Sequence, residues 1–270
     1  MYSIRLIVSL QSKQVNMTKP LILISNDDGY HSRGLRYLCE FLSDMADILV
    51  CAPESPRSGY SCAFSAEPPI YLKRRKKIVG AEVWSCSGTP ADCVKIALDR
   101  LTPHRRPDMV IGGINHGDNS TVNTLYSGTM GVAMEGCMKY IPSIAFSSCD
   151  YDPDADLSHL RDGVRMIVQR VLSDGLPKGV CLNVNFPKVD HFEGVKICRM
   201  GYGSWTNEIL ECDHPRKGKY YWMVGYYHDD EPGAMDNDRW ALEHGYIAIT
   251  PTTMDVTAYD VLESMKNKWE

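Results

Sequence analysis

The stretch Leu21-Ile22-Leu23-Ile24-Ser25-Asn26-Asp27-Asp28-Gly29 reads first as a strand and then as a turn. Successive side chains on a strand point to opposite faces, so four apolar residues in a row predict a strand covered on both sides. Two adjacent carboxylates follow. On a regular strand Asp27 and Asp28 would face opposite ways, so the mutual repulsion of the two acids and the freedom of Gly29 predict a bend here. Immediately downstream, Leu35, Leu38, Cys39 and Leu42 recur at helical spacing. A strand buried on both faces that leads into an amphipathic helix is the repeating unit of an α/β sheet.

The same alternation continues along the chain. Ile48 to Val50 is a further strand, followed by one at Val83 and Trp84. Thr89, Pro90 and Asp92 predict a capping box opening a helix whose inner face carries Val94, Ala97, Leu98 and Leu101. Strands at Met109 to Ile111 and Ile144 to Phe146 bracket a helix marked by Met130, Ala133, Met134 and Cys137. Asp156 is placed to cap a longer helix with Leu157, Leu160, Val164, Ile167, Val168 and Val171 on one face. Strand signals return at Val180 to Phe186 and Ile247 to Ile249. The expected fold class is therefore α/β, a mostly parallel sheet with helices on both sides, in which ligands bind beyond the carboxyl ends of the strands.

Between about residues 195 and 240 the pattern changes to strands without helices, rich in Tyr and Trp, at Val195 to Met200 and Tyr220 to Tyr227. These predict a protruding hairpin, either an ordinary edge hairpin or an arm used in self-association, since exposed aromatic strands need a cover. The expected organisation is a catalytic core over 19–194 and 241–260, an arm over 195–240, and an N-terminal tail over 1–18 with Met17 as a candidate start. The apolar run Leu6 to Leu10 is too short to span a bilayer, and no other stretch approaches that length.

With 44% hydrophobic and 23% charged residues, the 270-residue chain has the composition of a globular protein rather than a disordered or coiled-coil one. Its formal net charge of −5 disfavours stable DNA or RNA binding but leaves small anionic ligands open if a cation supplies positive charge. The one basic run, Lys73 to Lys77, reads as a solvated turn or as a device that steers phosphorylated ligands. Ten cysteines include no C-x-x-C pair, and Cys51, Cys93, Cys137 and Cys181 sit among apolar residues. Reduced thiols and a cytoplasmic location follow, and a thiolate zinc site does not.

Candidate chemistry gathers at four strand ends. The adjacent acids Asp27 and Asp28 suit a hard cation with oxygen ligands, or equally an Asx turn with solvated acids. Ser58 stands in an Arg57-Ser58-Gly59 loop, and Asn115 in the glycine-rich run Gly112-Gly113-Ile114-Asn115. Tyr126-Ser127-Gly128-Thr129 opens a helix, where free backbone N–H groups favour phosphate, although Thr129 read alone is simply a helix cap. Missing motifs narrow the choice. No G-x-x-x-x-G-K-[ST] loop, no G-x-G-x-x-G and no G-x-S-x-G turn occurs, and Asp27 and Asp28 are adjacent rather than one residue apart as aspartyl-phosphate chemistry requires.

SNDDG (25–29), AP followed by RSG (52–59), SGTPADCV (87–94), PDMVIGGINHGDN (107–119), YSGTMGVAMEG (126–136), LNVNFP (182–187) and GYIAITP (245–251) together resemble the SurE, or survival protein E, family. The resemblance runs in order from residue 21 to about 260. It implies a Rossmann-like three-layer core with a C-terminal β-hairpin arm used in dimers or tetramers, and a metal-dependent phosphatase acting on nucleoside 5′- and 3′-monophosphates, with short polyphosphate a further candidate substrate. By the same resemblance Asp27, Asp28, Ser58 and Asn115 hold one divalent ion, Mg²⁺ or Mn²⁺ with Ca²⁺ able to substitute, and Asn119, Ser127, Gly128 and Thr129 cradle the phosphate. Asp27 and Asp28 are then the catalytic pair. His31 and His116 lie near enough in sequence to be candidate acids for the leaving group. The competing non-enzymatic reading is a nucleotide-binding regulatory module without turnover.

Overall fold

The computed structural model describes residues 19–270. The tail expected over 1–18, and with it a start at Met17, lies outside the described residues. In chain order the elements are β1 (Leu21–Ser25), α1 (Arg33–Leu42), β2 (Asp47–Pro53), β3 (Leu72–Arg74), β4 (Glu82–Cys86), α2 (Pro90–Ile96), β5 (Met109–His116), α3 (Gly128–Met138), β6 (Ser143–Ser148), α4 (Arg161–Asp174) and β7 (Val180–Phe186). Then come β8 (Gly194–Ile197), β9 (Gly203–Thr206), β10 (Ile209–His214), β11 (Gly218–Met223), β12 (Tyr226–Asp229), α5 (Asp238–Glu243), β13 (Tyr246–Thr253) and α6 (Tyr259–Trp269).

Nine strands form one sheet in the order β3-β4-β2-β1-β5-β6-β7-β13-β8. From β4 through β7 every pairing is parallel, while β3 and β13 run antiparallel to their neighbours β4 and β7. All five residues of β1 are buried, as its unbroken apolar run predicts. Ile22 and Ile24 pack with Leu35 and Leu38 of α1 and Val164 and Val168 of α4, whereas Leu21 and Leu23 pack on the other face with Val94 of α2 and Val132 of α3. The molecule therefore has the three-layer α/β architecture expected.

From β1 the chain moves through α1 on one face toward β2. From β5 it moves through α3 on the opposite face toward β6. The two crossovers diverge, so the carboxyl ends of β1 and β5 border a switch-point crevice, the place where open α/β sheets bind ligands. The α3 and α4 crossovers advance in the same direction on opposite faces and so have opposite hands. Because α1, α2 and α3 share one hand, β6-α4-β7 is the left-handed exception to the usual right-handed rule.

The predicted capping box is present, with Thr89 and Asp92 each bonding the other's backbone N–H and Pro90 at the first helical position. Asp156 does not cap α4. Its carboxylate accepts from Ser158 N at 2.9 Å and opens a short 3₁₀ turn, Ser158–Leu160, and α4 begins only at Arg161 with no side-chain cap. Within 195–240, β8 lies at the edge of the main sheet beside β13, and β9–β12 and β10–β11 nest as one antiparallel hairpin. Leu210, Trp222, Met223 and Tyr226 on that hairpin are exposed. The closing helix α6 buries none of its residues. No helix among the described residues is long and apolar enough to cross a membrane, and all ten cysteines are free.

Candidate active site

The chain bends after β1 because Asn26 braces the turn. Its buried carboxamide accepts from Gly29 N at 3.1 Å and donates to Gly29 O at 3.1 Å and to Ser32 Oγ at 2.6 Å. Gly29 closes the loop at φ +96°, a conformation other residues rarely adopt. The bend holds Asp27 and Asp28 at the mouth of the crevice. Asp27 is only 4% exposed.

Three other loops converge on this pair. From the loop after β2, Arg57 N donates to Asp27 O at 2.6 Å, which sets Ser58 next to the bend, where it is exposed. At the end of β5, the backbone of His116 lies beside the Asp28 carboxylate and favours its charged form. Asn115 just before it donates Nδ2 to Gly117 O at 2.7 Å, and no donor among the described residues reaches its Oδ1. At the start of α3, Thr129 Oγ1 donates to Asp27 Oδ1 at 2.5 Å. The loop after β2 also closes over α3, since Ser61 N donates to Tyr126 O at 3.1 Å.

At α3 it is Ser127, not Thr129, that caps the helix, accepting from Met130 N at 3.0 Å. Thr129 is fully buried, with its hydroxyl on Asp27 rather than on the helix end. The N–H groups of Gly128 and Thr129 lie in the first turn, where helices have no internal acceptors to offer. Asn119 is buried in a carboxamide network: its N–H donates to Asn185 Oδ1 at 2.8 Å, its Nδ2 to Ser147 Oγ at 2.7 Å, and its carbonyl accepts from Asn183 Nδ2 at 2.7 Å. Asn185 Nδ2 completes the ladder by donating to Asn183 Oδ1 at 2.9 Å.

Asn183, Asn185 and Asn26 are functional candidates that the motif reading leaves without a role. The signal was available in the alternation of LNVNFP, where two carboxamides at i and i+2 share one face of a strand, a setting in which Asn is depleted. Replacing Asn185 by Leu strands the Asn119 N–H and Asn183 Oδ1 in the interior. Chemical denaturation of Asn185→Leu is expected to show a loss of about 2 to 4 kcal/mol; an unchanged midpoint would mean the ladder carries no weight.

Burial acts on both carboxylates of the rim. Burial raises Asp27 from its usual 3.8 to about 6, with the Thr129 hydroxyl opposing the rise and the Asp28 charge adding to it. Burial likewise raises Asp28 to about 6, opposed by the His116 backbone. Asp28 Oδ2 is buried with no hydrogen-bond partner. Burial lowers His116, and neither ring nitrogen has a partner, so at neutral pH the imidazole is neutral and a poor proton donor. His31 is exposed. No group of three or more His, Cys, Asp or Glu among the described residues could hold a metal, and the oxygen set Asp27, Asp28, Ser58 and Asn115 contains only two such residues.

Fold and rim together define a class: α/β proteins with a paired-carboxylate, oxygen-lined crevice at the sheet's switch point, facing the amino end of a helix. The family model described as survival protein SurE matches residues 22–207, and the chain belongs to the SurE family. It is 52% identical over 249 residues to the 5′-nucleotidase SurE of Phocaeicola vulgatus, covering 92% of this chain and 96% of that one. The 5′-nucleotidase SurE of Bacteroides fragilis is 48% identical over 252 residues, covering 93% and 98%. The crystal structure of the SurE protein from Aquifex aeolicus superposes with a TM-score of 0.79 at 32% identity, covering 93% of this chain and 100% of that one.

Proposed function

We propose that this chain, like the relatives named above, is a 5′-nucleotidase that hydrolyses nucleoside 5′-monophosphates to nucleoside and phosphate, using one divalent ion at the β1–β5 crevice. The observation that carries this reading is the carboxylate pair forced together at the end of β1, with Asp28 Oδ2 buried and unpartnered. An all-oxygen donor set of two carboxylates, the Ser58 hydroxyl and the Asn115 carboxamide fits a hard ion such as Mg²⁺ or Mn²⁺. When bound, such an ion supplies charge neutralisation and Lewis-acid activation of the phosphate.

The chain's own residues do the rest. Asp27 and Asp28 sit at the mouth of the crevice, where their carboxylates would hold the ion and orient an attacking water beside it. Gly128 and Thr129 offer first-turn N–H groups to the phosphate oxygens, with the positive end of α3 behind them. Ser127 and Asn119 are assigned to the same cradle; the Asn119 carboxamide is anchored on Ser147 Oγ, and the Asn183–Asn185 ladder fixes the Asn119 backbone. Thr129 also orients Asp27. Burial lowers His116, which makes it a poor proton donor to the leaving alkoxide at neutral pH.

The reading extends to 3′-monophosphates and short polyphosphate as further substrates, to a cytoplasmic enzyme with reduced thiols, and to a homodimer or tetramer built through the exposed hairpin. A regulatory nucleotide-binding module is the competing reading, and turnover separates the two. Phosphate release from AMP and GMP is expected with Mg²⁺ or Mn²⁺, to vanish with chelator and to return on adding the ion back; phosphate-free incubations under all conditions would reject the enzyme. Cation affinity carries a pH signature. Both carboxylates hold protons up to about 6, and an entering ion must displace them below that pH. Calorimetric titration with Mn²⁺ is therefore expected to give binding at least about tenfold weaker at pH 5 than at pH 7.5, and a flat profile would contradict the assigned ligands.

A further inference from the structure

The basic run Lys73–Lys77 divides in the fold. Lys73 and Arg75 both reach Glu54 at 3.3 Å, and Arg74 reaches Glu82 at 3.4 Å. Lys76 and Lys77 make no ion pair among the described residues; with Arg75 and Arg36 of α1 they line a cavity of ≈410 Å³. Tyr30 and Ser32 complete much of its wall, and no carboxylate lines it. Arg75 is held rigidly, its Nε donating to Ser85 Oγ at 2.9 Å and its guanidinium lying 4.7 Å from the Tyr30 ring centroid. Ser32 is the cap of α1, whose first turn carries no acidic residue, so the positive helix end adds to the four cations.

Arg36 is paired with Glu40 at 2.9 Å and Arg75 with Glu54, which leaves Lys76 and Lys77 as the two cations of the cavity wall with no carboxylate partner among the described residues, so an anion entering there meets two uncompensated charges. The cavity's size suits a phosphate-bearing small molecule. It also adjoins the catalytic rim: Tyr30 follows Asp28 by two residues, no more than ~7 Å of chain. We propose that this cavity is an anion subsite that holds the second phosphate of a nucleotide bearing two, a nucleoside 3′,5′-bisphosphate, while the first lies at Asp27 and Asp28. The assignment of the first phosphate rests on the nucleotidase reading; the cavity's affinity for anions does not.

The test has two arms, each on the full chain, with wild type compared with Lys76→Glu/Lys77→Glu and with Lys76→Gln/Lys77→Gln. In the first, inorganic pyrophosphate is titrated calorimetrically into metal-free protein in chelator, where the rim carboxylates repel anions. Wild type is expected to bind and both variants to bind at least tenfold more weakly; equal affinity, or no binding to wild type, overturns the subsite. In the second, with Mn²⁺ present, the ratio of kcat/KM for adenosine 3′,5′-bisphosphate to that for AMP is expected to fall about tenfold in the variants. If both rates fall together, the lysines only steer anions and the subsite is overturned. Loss of pyrophosphate binding with an unchanged ratio overturns the substrate assignment and leaves a site for free phosphate. Should wild type turn over neither nucleotide, the nucleotidase reading fails while the pyrophosphate titration still decides the cavity. Matching thermal midpoints for all three proteins show that the exposed lysines were not needed for folding.

Discussion

Asp27→Asn is expected to lose at least roughly a thousandfold in kcat/KM, a barrier increase of about 4 kcal/mol, while the metal-free protein becomes more stable at pH 7.5. The two effects have one cause. Asp27 is almost fully buried beside a second carboxylate, and its rise from 3.8 to about 6 measures the cost of holding the charge there. A group whose folded pKa is raised contributes stability that is fully present below its unfolded value and lost as pH rises through the folded one. For Asp27 that window runs from about 3.8 to about 6, so at pH 7.5 the metal-free wild type carries an ionisation cost of up to about 3 kcal/mol. Asparagine removes it while its carbonyl still accepts from Thr129 Oγ1. It also removes one of two charges available to a cation. Thermal melts in chelator, repeated with Mn²⁺, check the pair of effects: the variant should melt higher than wild type without the ion and gain less from adding it. A variant that keeps wild-type turnover, or that melts lower in chelator, would contradict the role assigned to Asp27.

Much of this arrangement was legible in the sequence because the signals are local. The unbroken apolar run of β1, the helical spacing of α1 and the Thr89–Asp92 capping box each depend on residues a few positions apart, and each appears as read. What escaped depends on partners far along the chain. Thr129 looks like a helix cap until its hydroxyl meets Asp27, 102 residues away; Ser127, two residues earlier, then takes the cap. The Asn119 network spans 64 and 66 residues to reach Asn183 and Asn185. Asp156 has a cap's chemistry but spends it on a 3₁₀ turn, because the chain tightens before α4 begins. The basic run could not be resolved into paired and unpaired cations without knowing where Glu54 and Glu82 lie. Nothing in the composition of Tyr259–Trp269 prompted a helix there; α6 buries no residue, and so no core contact imposes a strong apolar period on it.

Gly128→Ala isolates the contact on which catalysis and phosphate binding both depend in this reading. A Cβ at position 128 would lie 2.7 Å from Asp27 Cβ and 3.0 Å from Asp27 Oδ2, closer than unstrained contacts allow, so Asp27 or the first turn of α3 must move. Neither can yield easily. Asp27 is buried and tied to Thr129, and α3 is packed against β5 and β6 through Val132 and Ala133. Gly128 is the first residue of α3, where the interior helix preference for alanine offsets little of this strain, so some global stability is lost as well. The damage should concentrate at the site, where a misplacement of about 1 Å can cost about a hundredfold in rate. The expected result is a fall in kcat/KM for AMP of about a hundredfold, with Mn²⁺ affinity weakened and stability to denaturant lowered by about 1 to 3 kcal/mol. Full activity in Gly128→Ala would show that the amino end of α3 need not touch Asp27, and the phosphate cradle would then have to be sought elsewhere on the rim.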